Sequence, residues 1–281
     1  MQTLAFIGLG NMGSGMAANQ AKAGRVVRAY DLSAEALVRA KEAGCAPCGS
    51  AAEAVRGADA VITMLPAGKH VRGVYEADVL PNAKEGALLV DCSTIDVESA
   101  RAVAAMAGAA GKGFRAADAP VSGGTAAAEA GTLAFMVGCE EADFADVETV
   151  LEPMSRVTIH AGDSGAGQAA KICNNMILGV TMIGTCEAFA LADKLGLDRQ
   201  AMFDVVSTSS GYSWTMNAYC PAPGIGPQSP ADNGYRPGFA AELMLKDLRL
   251  SQQAADAADA DTPMGAAAAA LYARFVEEED G

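Results

Sequence analysis

Lys171 and Asn175 lie four residues apart in a run that begins at Gly165, and this spacing places two side chains on one face of a helix. A lysine amine can donate or accept a proton, and an amide beside it can orient the amine or a substrate. The neighbours 169–170 and 172–173 are small or apolar, which is unusual around an exposed lysine. The spacing therefore indicates a catalytic pair, although a solvated lysine on a helix surface stays open as an alternative.

Ser122, Gly123 and Gly124 follow a predicted strand that ends at Asp118. Two consecutive glycines after a serine expose backbone N–H groups, and such groups can form a concavity that binds an anion. A substrate carboxylate fits this chemistry. The same residues are also typical of a plain tight turn, so both interpretations stand.

A glycine-rich loop, Gly8-Leu-Gly10-Asn11-Met12-Gly13, follows the first predicted strand and opens a helix. Glycine makes up 31 of 281 residues, so the glycine spacing alone is a weak signal of dinucleotide binding. The position of the loop between a strand and a helix makes the spacing informative. The first glycine permits a tight turn, the second lets the backbone approach a pyrophosphate, and the third lets helix and strand pack closely. The loop, including Asn11 and Met12, is therefore a predicted dinucleotide-binding segment.

Asp31 ends the second predicted strand, about 20 residues after the glycine loop. At this position a carboxylate accepts hydrogen bonds from the adenosine ribose. It would also repel the 2′-phosphate of NADP by a few kcal/mol at ~4 Å. Asp31 therefore favours NAD over NADP. The alternative is that Asp31 only caps the helix that starts near Ser33.

The first part of the chain alternates short β-rich runs with helical stretches, which is typical of βαβ units and a parallel sheet. The strands are predicted over 4–7, 26–30, 60–64, 87–91 and 114–118, with 132–137 and 156–160 extending the same sheet. A helix is predicted over 33–43, with a serine at its start and a glycine after its end. With the glycine loop, this pattern predicts an α/β fold whose first domain is a Rossmann-type, mostly parallel sheet.

Residues 166–195 contain no proline and repeat apolar residues at helical spacing, which predicts one helix of roughly 45 Å at 1.5 Å per residue. We expect this helix to join the sheet domain to an all-α domain. The predicted bounds are 1–162 for the NAD-binding domain, 163–196 for the interdomain helix and 197–281 for the rest of the all-α domain, with the helix counted as part of it. Further helices are predicted over 199–207, 240–258 and 262–279. Residues 212–239 hold five of the eleven prolines and the single tryptophan, which indicates an ordered covering loop.

The formal net charge is −14, from 20 basic and 34 acidic residues, and no block of lysine or arginine interrupts it. Nucleic acid and anionic membranes are therefore poor partners. The N-terminus lacks the basic leader of a signal peptide, and we expect no apolar run as long as a membrane span. A small molecule is the expected partner.

Seven cysteines form an odd number without a secretory leader, which indicates reduced thiols and a cytoplasmic location. Cys45 and Cys48 are the one CxxC pair, and without a second pair we interpret them as packed thiols; no metal is expected. The apolar and alanine-rich helices favour a homo-oligomer. The sequence does not distinguish a homodimer from a homotetramer.

Four motifs in chain order carry a resemblance that covers essentially the whole sequence. They are the glycine loop with Met16-Ala-Ala-Asn19, the run from Asp118 to Gly124, the run from Gly165 through Lys171 to Asn175, and Lys246-Asp247-Leu248. On these residues the chain resembles the β-hydroxyacid dehydrogenase family, and within it the 3-hydroxyisobutyrate dehydrogenases. The resemblance implies oxidation of a small hydroxy acid, 3-hydroxyisobutyrate, to methylmalonate semialdehyde by NAD, a step of valine breakdown.

The resemblance also implies roles for single residues. Lys171 matches the family's catalytic lysine, which handles the hydroxyl proton while hydride moves to the nicotinamide, and Asn175 matches a residue that orients lysine and substrate. Ser122, Gly123 and Gly124 match the segment that binds the substrate carboxylate. The matched cofactor contacts are Leu65, Pro66, Thr94 and Lys246, with His70 beside them. Trp214 and Phe239 mark the region that selects the substrate.

Two further functions stay open on the sequence. Related dehydrogenases that reduce tartronate, glyoxylate or succinate semialdehydes would share the lysine, and only the region around Trp214 and Phe239 would separate them. A small apolar pocket discriminates between such substrates by only about 1–3 kcal/mol. The other alternative is a non-catalytic NAD(P)-binding module, which need not keep the lysine, the asparagine and the Ser122–Gly124 segment together.

Overall fold

The computed structural model describes residues 2–236 and 238–278, and the chain divides into two compact units, Met1–Lys171 and Ile172–Gly281. The first unit contains one sheet, which has nine strands within the described residues. They are β1 Thr3–Ile7, β2 Val26–Tyr30, β3 Ala46–Pro47, β4 Ala60–Thr63, β5 Leu88–Asp91, β6 Arg115–Asp118, β7 Val121–Ser122, β8 Leu133–Gly138 and β9 Ser155–Gly162.

The parallel part of the sheet has the strand order β3-β2-β1-β4-β5-β6. The order reverses between β1 and β4, because β2 and β3 lie on one side of β1 and the later strands on the other. In open α/β sheets, ligands bind beyond the carboxyl ends of the strands at such a reversal. Residues 8–13 follow β1 and residues 64–66 follow β4, so both segments lie at this point.

An antiparallel extension continues the sheet beyond β6. Strand β8 pairs antiparallel with β6, where Gly138 lies opposite Asp118, and with β7, and it pairs parallel with β9. The prediction of a mostly parallel sheet followed by helices is confirmed. Strands β3 and β7 were not predicted, because runs of two residues carry no periodicity.

Both faces of the sheet are buried, as the alternating side chains of β1 demonstrate. Leu4 and Phe6 belong to one apolar cluster, and Ala5 and Ile7 belong to another. Helices cover both faces of sheets built from βαβ units, which is why these strands read as continuous apolar runs. The sheet is therefore a rigid support for the loops at its carboxyl edge.

The helices of the first unit lie in the connections between strands. They are α1 Gly13–Lys22, α2 Ala34–Glu42, α3 Ala51–Val55, α4 Gly68–Val74, α5 Leu80–Asn82, α6 Val97–Ala109, α7 Gly124–Ala130 and α8 Phe144–Leu151, and a π-helical turn, Tyr75–Val79, joins α4 to α5. The start of α2 agrees with the sequence, since the Ser33 side chain accepts a hydrogen bond from the backbone N–H of Ala36 at 3.3 Å.

Helix α9, Ala166–Leu195, begins in the first unit and continues into the second. It is followed by α10 Arg199–Val206, α11 Trp214–Asn217, α12 Ala241–Ala257 and α13 Pro263–Glu278. Met244, Leu248 and Ala268 form an apolar cluster that packs α12 against α13. Residue 279, the predicted end of the last helix, lies outside the described residues, and the predicted domain bounds at 162 and 196 stay a prediction.

Helix α9 is long and apolar enough to cross a membrane, by length and composition only. The expectation that no apolar run reaches this length was therefore wrong. Length and apolar composition alone do not distinguish a membrane span from a helix of a soluble protein. The first half of α9 also carries the buried polar side chains of Gln168, Lys171 and Asn175, which are costly in a lipid environment.

Candidate active site

The loop after β1 is shaped by close backbone approaches. Gly8 has a φ of +96°, and a Cβ at this position would lie 2.2 Å from the carbonyl oxygen of Met64. A Cβ on Gly13 would lie 2.0 Å from the carbonyl oxygen of Gly8. Neither position has room for a side chain, so the tight path from β1 into α1 requires glycine at both.

Gly10 differs from its neighbours, because nothing lies within 4 Å of the place where its Cβ would be. Helix α1 begins at Gly13, and Met12 before it makes no side-chain cap. Asn11 is exposed and Met12 is partly buried. Open backbone beside an uncapped helix N-terminus fits the phosphates of a dinucleotide.

Asp31 connects this loop to the end of β2. Its carboxylate accepts hydrogen bonds from the backbone N–H groups of Leu9 at 2.6 Å and Ser33 at 2.8 Å. The cap of α2 is Ser33 itself, so the alternative that Asp31 only caps this helix is wrong. Each carboxylate oxygen has a second lone pair, so the side chain keeps the capacity to accept a ribose hydroxyl.

A chain of hydrogen bonds joins the ends of β4 and β5. Oδ1 of Asp91 accepts from Thr63 Oγ1 at 2.7 Å and from Ser93 Oγ at 2.6 Å. Ser93 Oγ in turn accepts the backbone N–H of Leu65 at 2.8 Å. Leu65 is thereby held at the reversal point of the strand order, next to Pro66.

Asp91 is a buried carboxylate, and burial raises its pKa to about 6, against the lowering effect of the hydrogen bonds from Ser93 and Thr63. Its second oxygen, Oδ2, has no hydrogen-bond partner among the described residues. Asp91 is therefore protonated more readily in the folded chain than in the unfolded chain.

We expect Asp91→Asn to gain stability relative to wild type as the pH rises. The pKa of Asp91 is raised on folding, so the stability that its protonated form contributes is present below about pH 4 and is lost as the pH rises through about 6. The asparagine does not titrate. Urea unfolding of both proteins should give a free-energy difference that moves in the variant's favour by about 2 kcal/mol between pH 4.5 and 8. A difference that stays constant over this range would contradict the shift.

Asp118 fixes the first turn of α9. Its Oδ1 accepts the backbone N–H of Gly165 at 2.6 Å, and its Oδ2 accepts that of Gln168 at 2.8 Å. Burial raises the pKa of Asp118, and these backbone hydrogen bonds oppose the rise. A Cβ on Gly167 would lie 2.3 Å from the carbonyl oxygen of Met136, so this turn lies directly against the sheet.

Lys171 and Asn175 follow on the same helix, and both are buried. Lys171 is 7% exposed and Asn175 is 1% exposed, so the alternative of a solvated lysine is wrong. Asn175 Nδ2 donates to Asp247 Oδ2 at 2.6 Å, and its Oδ1 accepts from Asn174 Nδ2 at 2.9 Å. Asp247 lies on α12 and is itself buried, so a carboxylate from another helix fixes the orientation of the amide.

The segment from Ser122 to Gly124 forms the turn between β7 and α7. Ser122 pairs with Ala134 of β8, and Gly123 and Gly124 have φ angles of +139° and +71°. The tight turn is therefore present. Gly123 is exposed and precedes the first turn of α7 without a side-chain cap, so its use as an anion-binding segment stays a prediction.

Trp214 and Phe239 are connected by a residue that the sequence did not single out. The ring of Trp214, which is 54% exposed, stacks on that of Tyr219 with centroids 4.9 Å apart. The Tyr219 hydroxyl is hydrogen-bonded to the backbone of Gly238 and Phe239, and burial raises the pKa of Tyr219. Tyr219 thus joins the two ends of the proline-rich segment, while the Phe239 side chain packs against the α12–α13 cluster.

The remaining predicted cofactor residues lie in different elements. Pro66 is exposed after β4, His70 is exposed on α4, Thr94 is partly buried after β5, and Lys246 is partly buried on α12 next to Asp247. Their contacts with a cofactor stay predictions. In the described part of the chain, no group of three or more His, Cys, Asp or Glu residues is placed to hold a metal ion, and Cys45 and Cys48 are buried free thiols.

Two family profiles match this chain along nearly its whole length. One, described as the NAD binding domain of 6-phosphogluconate dehydrogenase, matches residues 3–162. The other, described as NAD-binding of NADP-dependent 3-hydroxyisobutyrate dehydrogenase, matches residues 165–281. The chain therefore carries NAD-binding domains, as the glycine loop predicted.

Named relatives match the chain from end to end. A 3-hydroxyisobutyrate dehydrogenase from Pseudomonas aeruginosa is 50% identical over 281 residues, which cover 99% of this chain and 94% of the relative. The chain belongs to the 3-hydroxyisobutyrate dehydrogenase family. It is an oxidoreductase that acts on CH–OH groups, and the alternative of a non-catalytic module is wrong.

Two relatives in this family are connected with L-serine. The solved structure of a Mycobacterium tuberculosis 3-hydroxyisobutyrate dehydrogenase with L-serine has a TM-score of 0.95 and 50% identity, covering 99% of this chain and 94% of that one. An NAD-dependent L-serine dehydrogenase from Pseudomonas aeruginosa is 45% identical over 280 residues, covering 99% of this chain and 93% of the relative. The family is thus established, whereas its members differ in their named substrate.

Proposed function

We propose that this protein oxidises the hydroxyl group of 3-hydroxyisobutyrate, giving methylmalonate semialdehyde, in the breakdown of valine. Bound NAD supplies the hydride acceptor. Lys171 takes the hydroxyl proton as the C–H bond breaks and the carbonyl forms, and it returns that proton in the reverse direction. The proposal also assigns the substrate carboxylate to the backbone N–H groups of Ser122, Gly123 and Gly124.

The observation that carries this proposal is the buried Lys171 on the fixed first turns of α9. Lys171 is only 7% exposed there, so its amine is held in one place, from which a positioned lysine can exchange a proton with a substrate hydroxyl. Asp118 holds the turn before the lysine, and Asp247 holds Asn175 one turn after it. Asn175 is therefore available to orient the reacting groups through its remaining amide hydrogen.

L-serine oxidation is a second candidate, because one relative is named an L-serine dehydrogenase and another is solved with L-serine. Serine is also a 3-hydroxy acid, with an amino group where hydroxyisobutyrate has a methyl group. The same lysine chemistry applies to both. The choice between them depends on the side chains around Trp214, Tyr219 and Phe239.

A substrate panel tests this proposal. We expect kcat/KM with NAD to be at least tenfold higher for 3-hydroxyisobutyrate than for L-serine, because a site built for a methyl group leaves an ammonium group unpaired. Tartronate semialdehyde, glyoxylate and succinate semialdehyde, assayed as reduction with NADH, complete the panel. A preference for serine would move the assignment to the second candidate. A preference for one of the semialdehydes would move it to a related reductase of the family.

We also propose a cytoplasmic homo-oligomer of two or four copies. All seven cysteines are free, which fits a reducing compartment. Helix α9 exposes Ile177, Leu191 and Leu195, each by 60% or more, and apolar side chains of this size are typical of faces that a second copy covers. Light scattering in solution gives the number of copies.

A further inference from the structure

Gln168 is a fully buried side chain that connects α9 to the segment after β5. Its Oε1 accepts the backbone N–H of Ile95 at 3.1 Å, and its Nε2 donates to the carbonyl oxygen of Ser93 at 2.7 Å. Its own backbone N–H donates to Asp118. Both ends of the amide are therefore used, one as a donor and one as an acceptor.

This pairing needs an amide. A glutamate at position 168 cannot donate to the Ser93 carbonyl while it is ionised, and a methionine of similar volume can make neither hydrogen bond. The segment 93–95 contains Thr94, a predicted contact on the nicotinamide side. Ser93 also accepts the backbone N–H of Leu65, so one glutamine fixes the first turn of α9 against two loops at the carboxyl edge of the sheet.

Lys171 lies three residues after Gln168, and residues with this spacing are neighbours on one helix face. A helix is stiff over one turn, so a displacement of Gln168 from residues 93–95 moves the lysine by a similar distance. A misplacement of about 1 Å in a reacting group can lower a rate by on the order of 100-fold.

We propose that Gln168 is a positioning residue, which sets the distance between the Lys171 amine and the nicotinamide-side segment 93–95. This role rests on the proposed function, because it assumes that Lys171 handles the proton. Gln168 itself touches no reacting atom in this proposal. Its effect passes through Ser93 and Ile95 on one side and through the turn of α9 on the other.

The chain offers a matched control in Gln20. This glutamine is also fully buried in the first unit, donates to the carbonyl oxygen of Val150 at 2.8 Å and accepts from Arg25 Nη1 at 2.7 Å. Gln20→Met and Gln168→Met each remove one donated and one accepted hydrogen bond of a buried amide. We expect Gln168→Met to lower Tm more than Gln20→Met. Gln168→Met removes the hydrogen bonds of the Ile95 N–H and the Ser93 carbonyl, whereas in Gln20→Met Arg25 Nη1 still donates to the Val150 carbonyl oxygen at 2.8 Å.

The two methionine variants should differ in two readouts, kcat and the amide hydrogen exchange of Ile95, and a glutamate variant adds a third test. Gln168→Met should lower kcat by 10- to 100-fold with KM changed less than about threefold, and Gln20→Met should keep kcat within about threefold. In the protein without cofactor, amide hydrogen exchange of Ile95 should speed up at least about tenfold only in Gln168→Met. Gln168→Glu should recover activity relative to wild type as the pH falls, because a protonated carboxyl can again donate to the Ser93 carbonyl.

Equal kcat losses in the two methionine variants, or a kcat of Gln168→Met within threefold of wild type, would overturn the positioning role. An unchanged exchange rate at Ile95 in Gln168→Met would also count against it. So would a ratio of Gln168→Glu activity to wild-type activity that does not change with pH. The proposed proton role of Lys171 fails differently, since Lys171→Ala would then keep near wild-type turnover. A wild type that turns over beside an unaffected Gln168→Met would remove only the positioning role.

Discussion

Lys171→Ala is expected to lower kcat/KM for 3-hydroxyisobutyrate oxidation by on the order of 1,000-fold, while the Kd for NAD changes by less than about threefold. Proton transfer by a positioned side chain contributes about 10²–10⁴-fold. Lys171 is the lysine that lies within one turn of the Asp118-held start of α9, whereas Lys194 lies in the last turn. The buried position means that water reaches the site poorly and replaces the amine inefficiently. Steady-state kinetics and fluorescence titration with NAD measure the two quantities.

Lys194→Ala is the matched control, because Lys194 lies in the last turn of the same helix and is exposed. It should leave kcat/KM within about twofold of wild type. A Lys171→Ala variant that folds, binds NAD and keeps more than about a tenth of wild-type kcat/KM would contradict the assignment of the proton to Lys171.

The second large effect concerns the choice of cofactor. We expect kcat/KM with NAD to exceed that with NADP by about 100-fold or more, because the Asp31 carboxylate repels a 2′-phosphate by a few kcal/mol at ~4 Å. Arg28, three residues earlier, donates to the carbonyl oxygens of Glu53 at 2.6 Å and Arg56 at 2.5 Å, so its guanidinium is already engaged by the backbone. We therefore expect Asp31 to set the preference.

Asp31→Asn should reduce the NAD to NADP ratio at least tenfold, by raising KM for NAD and lowering KM for NADP. Asp198→Asn is its control, since Asp198 also accepts a backbone N–H, that of Ala201 at 2.9 Å, but caps α10 in the second unit. The control should leave the ratio unchanged. A wild-type preference for NADP, or a ratio that Asp31→Asn does not alter, would contradict the role of this carboxylate.

The features that the sequence predicted well are local ones. The glycine loop, the Ser33 cap and the bounds of α9 each depend on residues within one turn or one strand. Helix α9 spans Ala166–Leu195 as predicted, because it begins after Gly165 and ends before Gly196, both with positive φ. Local backbone preferences of this kind depend on consecutive residues, so the sequence alone predicts them.

The features that sequence reasoning missed are side-chain pairings between distant residues. Asn175 and Asp247 are 72 residues apart, and Gln168 and Ser93 are 75 apart. Asp247 lies beside Lys246 in a motif that was recognised, but only the fold reveals that it holds Asn175. A single polar residue has no periodicity, so its partner is known only once the packing of helices and strands is known.

Amino-acid composition alone does not predict the environment of helix α9 or the role of the Ser122–Gly124 turn. Helix α9 is long and apolar enough for a membrane span although its first turns carry buried polar groups. The mean hydropathy combines these few polar residues with the many apolar residues of the same helix. The Ser122–Gly124 segment forms the tight turn that its glycines allow. Such a turn can also expose N–H groups to an anion, so its geometry is compatible with either role.

The most direct test of the central claim is the pH dependence of kcat/KM for 3-hydroxyisobutyrate oxidation in wild type and in Lys171→Ala. In wild type we expect a rise with pH to a plateau, as the group that accepts the hydroxyl proton loses its own. The residual rate of Lys171→Ala should show no such plateau. It should instead keep rising in proportion to the hydroxide concentration. The same limb in both proteins would assign the proton to another group and contradict the account.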